Sequence, residues 1–306
     1  MSKIELFNKI NNDLKDKLHF LEDKPEENLE STIRALWFLA AGFNVSAQKA
    51  VKEPLPVLSD KQIKTLNDLI DLRLKNIPLA HITKRQSFMG IEFLSDERAL
   101  IPRKETEILG KKALELSFEF LKSKAEINVI DVCCGSGNLG IAIAHFNPNC
   151  KVFSADLSNE AVELAQENVD LLNLNERVNV TQSDLFSAFE SNEFYEKIDM
   201  IICNPPYIST AKVFKMDSEI SLNEPVLAFD GGMLGIKIIQ KLINEAPKFL
   251  LPDGWLIFEV GVGQGDFVSK LINKSITYHQ TESVADNSGN VRVVFAQKSK
   301  LSDTLS

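Results

Sequence analysis

Asn204, Pro205, Pro206 and Tyr207 close the apolar run Met200-Ile201-Ile202-Cys203, and together they suit one chemical problem. A nitrogen whose lone pair is delocalised into a π system is a poor nucleophile. It attacks an electrophilic methyl group only when its NH2 is held so that the lone pair can be aimed. Asn204 offers a side-chain carbonyl acceptor, and Pro205 offers a backbone carbonyl with no N–H of its own to compete. Two acceptors can grip one NH2 group. The consecutive prolines fix φ and push Asn204 and Pro205 toward extended backbone, so both acceptors are rigid before a substrate arrives. Tyr207 supplies a flat face beside the target nitrogen. The plainer reading of the same residues is a strand followed by a proline-rich turn, so the tetrad gains weight only if a cofactor site precedes it.

Such a pattern does precede it. Val129-Ile130 runs as a strand into Asp131-Val132-Cys133-Cys134-Gly135-Ser136-Gly137-Asn138, and a helical pattern opens at Leu139. Gly135 and Gly137 allow a tight turn and let a ligand approach the backbone at a helix N-terminus. Gly140 comes three residues after Gly137 and Cys134 takes the strand-proximal position, and a glycine turn of this kind is a weak signal alone. Asp156 ends the second strand, where it can accept hydrogen bonds from ribose hydroxyls, and Ser158 beside it can cap the next helix. Asp184, within Gln182-Ser183-Asp184-Leu185-Phe186, either meets an adenine edge or serves as a turn residue. Glycine turn, two acids and tetrad all stand at the carboxyl ends of successive strands, where open α/β sheets bind ligands.

The elements that must position these residues are legible as periodicity. Ile4, Phe7, Ile10, Leu14, Leu18 and Leu21 predict an amphipathic helix, Leu29 to Ala40 a second, and the Ser59/Gln62 capping box opens a third that ends before Pro78. Residues 1–84 thus read as a small helical domain. Strand alternation with a turn at Gly90 makes 85–104 a hairpin linker. From 105 to 300 a helix (Glu105 to Ser123) leads into alternating strands and helices. The strands are Asn128 to Val132, Lys151 to Ala155, Val178 to Gln182, Met200 to Cys203 and Trp255 to Val260; helices include Leu139 to Phe146, Asn159 to Leu172 and Leu234 to Leu250. This alternation predicts an α/β fold, a mostly parallel sheet with helices on both faces, with an antiparallel strand at Val291 to Phe295; 301–306 is a tail.

Composition narrows the function. A chain of 306 residues with 44% apolar content can build a sizeable core. A net charge of −9 argues against a protein that grips phosphate backbones, so stable nucleic-acid binding is not expected. Cys133, Cys134, Cys150 and Cys203 show no paired spacing, so neither a metal site nor a disulfide framework is expected. With no signal-like or membrane-length apolar stretch, a cytoplasmic, membrane-free protein is expected.

The order of motifs resembles the class I S-adenosylmethionine methyltransferases that act on nitrogen. Pro78 to Thr83, Ile101 to Glu107, Asn204 to Ile208, Asn223-Glu224-Pro225, Asp230-Gly231-Gly232 and Glu259 to Gln264 are similar, more closely, to the PrmC or HemK type of protein-(glutamine-N5) methyltransferase. The resemblance spans nearly the whole chain. It implies a Rossmann-like catalytic domain behind an all-α substrate-recognition domain. It also implies methyl transfer to the glutamine of a Gly-Gly-Gln motif in peptide-chain release factors, and hence a role in translation termination, by a monomer that yields S-adenosyl-L-homocysteine. Cofactor contacts are implied for Cys133, Cys134, Gly135, Ser136, Gly137, Asp156, Asp184, Leu185 and Asn204, and a substrate grip and catalysis for Asn204, Pro205, Pro206 and Tyr207. Arg103 to Glu107 is implied to lie near the cofactor's methionine end, although Arg103 and Glu107 read equally well as an exposed helix-start pair. The chain departs from the family at Cys133-Cys134 (usually Gly-Thr), Lys104 (proline), Lys84 (glycine) and Leu185 (often aromatic). Those departures keep other clients in view: a small molecule or peptide on the same scaffold, or, less well suited to the acidic charge, a DNA adenine. The histidines (His19, His81, His145, His279) have no role in such chemistry.

Overall fold

Burying the helical faces read above gives the first layer of the architecture. The structure is a computed structural model that describes residues 2–213, 217–232 and 235–300. The described residues fall into two compact units, one drawn from 1–104 and 216–224, the other from 105–215 and 225–306.

The first unit contains α1 (Lys3–Leu14), α2 (Leu29–Ala40), α3 (Ala47–Ala50), α4 (Asp60–Leu74) and α5 (Leu79–Thr83), followed by the hairpin β1 (Gln86–Phe88) and β2 (Ile91–Phe93). Ile33, Leu36, Trp37 and Leu66 are fully buried at its centre. The Ser59/Gln62 capping box forms as the sequence predicts. The hairpin turns on Met89 and Gly90, both with positive φ (50° and 84°), the geometry of a two-residue turn matched to strand twist. The first helix ends at Leu14 rather than continuing to Leu21, because Asn11, Asn12 and Asp13 in its last turn compete for backbone hydrogen bonds and weaken it.

This unit also buries charge. Arg73 and Lys24 both meet Glu219, at 2.7 Å and 3.2 Å, and Arg73 stands 3.9 Å from Glu27. Burial pushes the Glu27 carboxyl up to about 7, against the pull of Lys24 and Arg73. Glu224, equally buried, accepts from the Ile101 N–H at 2.9 Å and from Arg103 at 2.7 Å, and Arg103 also pairs with Asp23 at 3.2 Å. Arg103 is therefore no exposed helix-start residue: it is 6% exposed and fixes the 217–224 segment within this unit.

The second unit opens with α6 (Thr106–Phe120), then β3 (Ile127–Val132), α7 (Asn138–Phe146), β4 (Cys150–Asp156), α8 (Asn159–Leu171), β5 (Val178–Gln182) and β6 (Ile198–Cys203). After α9 (Thr210–Val213), the chain visits the first unit through α10 (Ser218–Ser221) and returns for α11 (Lys237–Glu245), β7 (Leu250–Glu259), α12 (Gly265–Asn273), β8 (Tyr278–Ala285) and β9 (Val291–Lys298). Leu234, at the predicted start of the helix that becomes α11, lies outside the described residues, as does the 301–306 tail.

The sheet runs β5-β4-β3-β6-β7-β9-β8, parallel from β5 to β7, with β9 antiparallel to both neighbours. The order reverses between β3 and β6, and open α/β sheets bind ligands at that reversal. Val132 pairs with Ala155 on one side and Cys203 on the other, so the chain leaves all three strands at one edge. The α/β class, the mostly parallel sheet and the single antiparallel strand agree with the sequence; β8 does not appear in its apolar pattern, because it is an edge strand with mostly exposed polar side chains.

Asp131, wholly buried in β3, accepts from the Gly140 N–H at 2.9 Å, while its Oδ1 has no partner. Burial first, then the neighbouring Asp156 charge, push its carboxyl up from 3.8 to about 7. A carboxyl whose folded value is raised holds its proton in the folded state, so its contribution falls as pH rises from about 4 to about 7. Asp131→Asn keeps an acceptor for Gly140 without the ionisation. Its stability is expected to match the wild type near pH 4 and to exceed it by roughly 4 kcal/mol above about pH 7, checked by urea unfolding across that range.

Candidate active site

The turn after β3 is built by backbone geometry. Cys133, Gly135 and Gly137 all take left-handed φ, at 57°, 54° and 78°. For Cys133 that conformation costs about 1–2 kcal/mol, the physical reason a glycine suits the position. The turn is pinned by Cys134 N–H to Ala155 O at 3.0 Å, Gly135 N–H to Asp156 Oδ2 at 2.8 Å and Asn168 Nδ2 to Ser136 O at 3.0 Å. A Cβ on Gly137 would meet Ile141 at 2.8 Å and Ala165 at 3.2 Å, so this glycine is there for packing. A Cβ on Gly135 would meet nothing within 4 Å; this glycine faces open space at the head of α7, whose first turn lacks a side-chain cap. Uncapped N–H groups and the helix dipole at that end favour an anionic group such as a carboxylate.

Asp156 stands across the turn. Its oxygens accept from Gly135 and from Ser158 N–H at 2.9 Å, which fixes the carboxylate and leaves further lone pairs. Ser158 caps α8 as well. Open glycine, oriented acid and uncapped helix end fit the carboxylate and ribose of adenosylmethionine. Burial and the nearby Asp131 and Asp156 charges push the Cys134 thiol well up, so it stays protonated. Asp184 lies beyond β5 with its side chain in an exposed ion pair with Lys241 at 3.0 Å, and Leu185 is buried in the core with φ 50°.

Asn204 leaves β6 half-buried. Its Nδ2 donates to Thr106 Oγ1 at 3.3 Å, while Oδ1 is buried without a partner. The bend that follows is held from behind. Gln264 donates from Nε2 to Tyr207 O at 3.0 Å and accepts the Gly261 N–H at 2.9 Å; Ile208 bridges to Asp230, and Gly231 N–H reaches Ile208 O at 2.8 Å. The neighbours must be glycines here, since a Cβ on Gly235 would sit 2.2 Å from Tyr207 O and one on Gly231 2.6 Å from Pro206 O. Tyr207 OH donates to Glu259 Oε1 at 3.0 Å, and Arg292 meets the same oxygen at 3.1 Å. Burial and the Glu259 charge keep the phenol well above its usual range, so Tyr207 is neutral and does not act as a base.

The turn, Asp156 and the tetrad thus meet at one sheet edge. Sequence reasoning placed Thr106 only within the Arg103 to Glu107 segment near the cofactor's methionine end and Glu259 to Gln264 only within the family resemblance, and gave Thr106, Glu259, Gln264 and Arg292 no individual role. Two of them carried a signal: Glu259 is the charge that ends the apolar run Trp255 to Phe258, and Arg292 interrupts Val291 to Phe295. Glu107, also read as exposed, is buried in the first turn of α6 with Lys111 at 3.3 Å. Among the described residues no group of three or more His, Cys, Asp or Glu side chains could hold a metal, and no helix is long and apolar enough to cross a membrane.

Residues 112–223 match the family described as Methyltransferase small domain. A release factor glutamine methyltransferase of Thermodesulfovibrio yellowstonii is 36% identical over 245 residues, covering 80% of this chain and 85% of its own. One of Caulobacter vibrioides is 31% identical over 272 residues, covering 89% and 91%. The hMettl16 catalytic domain, solved in complex with MAT2A 3′UTR hairpin 6, aligns with a TM-score of 0.52 at 12% identity over 75% of this chain and 81% of that one, a likeness of fold.

Proposed function

Because this chain belongs to the release factor glutamine methyltransferase family, we propose that its tetrad holds the side-chain amide of a glutamine in a release factor for methylation by S-adenosylmethionine. The observation that carries the role of Asn204 is its Oδ1: buried, unpartnered and fixed at the end of β6, beside the β3 turn.

S-adenosylmethionine, when bound, supplies an electrophilic methyl group on a sulfonium and leaves as S-adenosylhomocysteine. Gly135 and the head of α7 would hold its carboxylate, Asp156 its ribose, and the backbone at Asp184-Leu185 its adenine. Asn204 Oδ1 and the Pro205 carbonyl accept the two N–H groups of the substrate amide. That grip draws the nitrogen toward a pyramidal shape and aims its lone pair, so positioning and electrostatics supply the rate without a strong base. As positive charge grows on nitrogen, the two carbonyl dipoles and the Tyr207 face stabilise it. The proton then leaves to water. Residues 1–84 are assigned to recognising the client protein.

A cell extract incubated with methyl-labelled S-adenosylmethionine and this protein tests the reading. Label is expected in one protein band the size of a release factor. Label in the nucleic-acid or small-molecule fraction alone would defeat it.

A further inference from the structure

An aromatic face steadies a growing positive charge only while it stays in place beside the nitrogen. A tyrosine side chain turns about two torsions, so fixing its backbone and its hydroxyl fixes the ring between them. Gln264 holds the backbone end by donating to Tyr207 O at 3.0 Å. We propose that Glu259 and Arg292 are positioning residues that hold the other end, and through it the ring face, an inference resting on the reading of Tyr207 as the face beside the substrate nitrogen. Tyr207 OH donates to Glu259 Oε1 at 3.0 Å, and Arg292 Nη2 donates to that same oxygen at 3.1 Å and to the phenol oxygen at 3.4 Å. An arginine only donates, so the phenol oxygen accepts from Arg292 and its proton is left for Glu259. The guanidinium carbon stands 6.0 Å from the centre of the Tyr207 ring, at the limit of attraction to a face, so it serves the hydroxyl rather than the face.

The strands put the pair where the phenol reaches it. Glu259 closes β7, Arg292 lies in the adjacent β9, and Val260 N–H reaches Arg292 O at 2.9 Å. Arg292 is also the extra residue of a bulge: Val293 pairs with Val284 and Val291 with Ala285, which leaves Arg292 without a partner on β8. A bulge re-aims the side chain of its extra residue, and this is how an arginine set in an apolar strand comes to face Glu259. Glu105, at the head of α6, meets the same guanidinium at 3.6 Å. Burial pushes the Glu259 carboxyl up, but Oε1 faces two donors and remains an acceptor even with a proton on the buried, unpartnered Oε2. The anchor therefore needs the oxygen and not its charge.

The test uses the full-length protein with a purified release factor. Y207F, which removes the anchored hydroxyl and leaves the Glu259–Arg292 pair in place, is expected to lower kcat about 10-fold. E259A is expected to lose about 30-fold in kcat with KM for S-adenosylmethionine changed less than about 3-fold, the pattern of an interaction made in the transition state. E259Q, which keeps an acceptor oxygen for both donors, should stay within about 3-fold of wild type. In a Y207F background E259A should add less than about 3-fold, because its effect runs through the phenol. Fluorine NMR of protein labelled with 3-fluorotyrosine gives a readout independent of turnover, and the chain has three tyrosines to resolve. The Tyr207 resonance should shift and broaden in E259A and keep its position in E259Q, while those of Tyr195 and Tyr278 stay in place in both. A Y207F enzyme with wild-type kcat, an E259Q as impaired as E259A, a full E259A loss in the Y207F background, or a Tyr207 resonance untouched by E259A would overturn the proposal. Wild-type protein that leaves the release factor unmethylated, yet shows the Tyr207 response to E259A, would instead overturn the substrate reading and leave the anchor standing.

Discussion

Asn204→Ala is expected to lower kcat by about 10²–10³-fold, the usual cost of removing one preorganised group that stabilises developing charge. Affinity for S-adenosylmethionine should be partly retained, since Gly135, the head of α7 and Asp156 are untouched by the change. The size of the effect follows from how little Asn204 can move. Cys203 before it is fully buried in the sheet, Pro205 after it has a fixed φ, and Thr106 holds the amide NH2. Nothing nearby can take over the lost acceptor without moving the sheet edge. Turnover with a release factor and calorimetric titration of the cofactor check the two halves separately. Equal losses in both would place Asn204 with the cofactor rather than with the substrate.

Glu219→Ala is expected to destabilise the first unit by about 3–5 kcal/mol, the range measured when one partner of a buried ion pair is removed. Arg73 and Lys24 are 2% and 1% exposed and share this carboxylate, and Glu27, the remaining acid, is held near neutrality by burial to about 7. The substitution leaves two cations in an apolar interior with no full counter-charge. Trp37, at the centre of this unit, reports its urea unfolding by fluorescence once Trp255 is replaced by phenylalanine. A change below about 1 kcal/mol would mean that water reaches the cluster and screens it.

The two cases differ in what the sequence discloses. The turn at Cys133 to Gly137, Asp156 and the tetrad are visible because each is a local pattern: a strand end, a break in periodicity, and residue types that suit a ligand. Strand alternation then places them on one edge. The Glu219 cluster was invisible because Arg73 and Glu219 are separated by 146 positions, and no local pattern tells a chain that leaves the sheet after α9 to return to the helical unit. The pairing of Thr106 with Asn204 was hidden for a similar reason, across 98 positions. Glu259 and Arg292 were half-legible, as charges set into apolar strands, but their pairing depends on the β7–β9 register. Among the departures from the family, Lys84, Cys133 and Leu185 all adopt positive φ, at 56°, 57° and 50°. Backbone shape thus explains glycine at the first two positions in a way that residue type alone could not. Strand β8 went unread because an edge strand with polar faces lacks the alternation that marks a half-buried one.

The central claim is that the tetrad holds a glutamine amide. Its most direct measurement is the position of the new methyl group after the wild-type protein, S-adenosylmethionine labelled in the methyl and a purified release factor are incubated together and the peptides are fragmented. One methyl on the side-chain nitrogen of the glutamine in the Gly-Gly-Gln motif is the expected result. A methyl on any other atom of the release factor, or none on it while DNA or a metabolite is labelled, would contradict it.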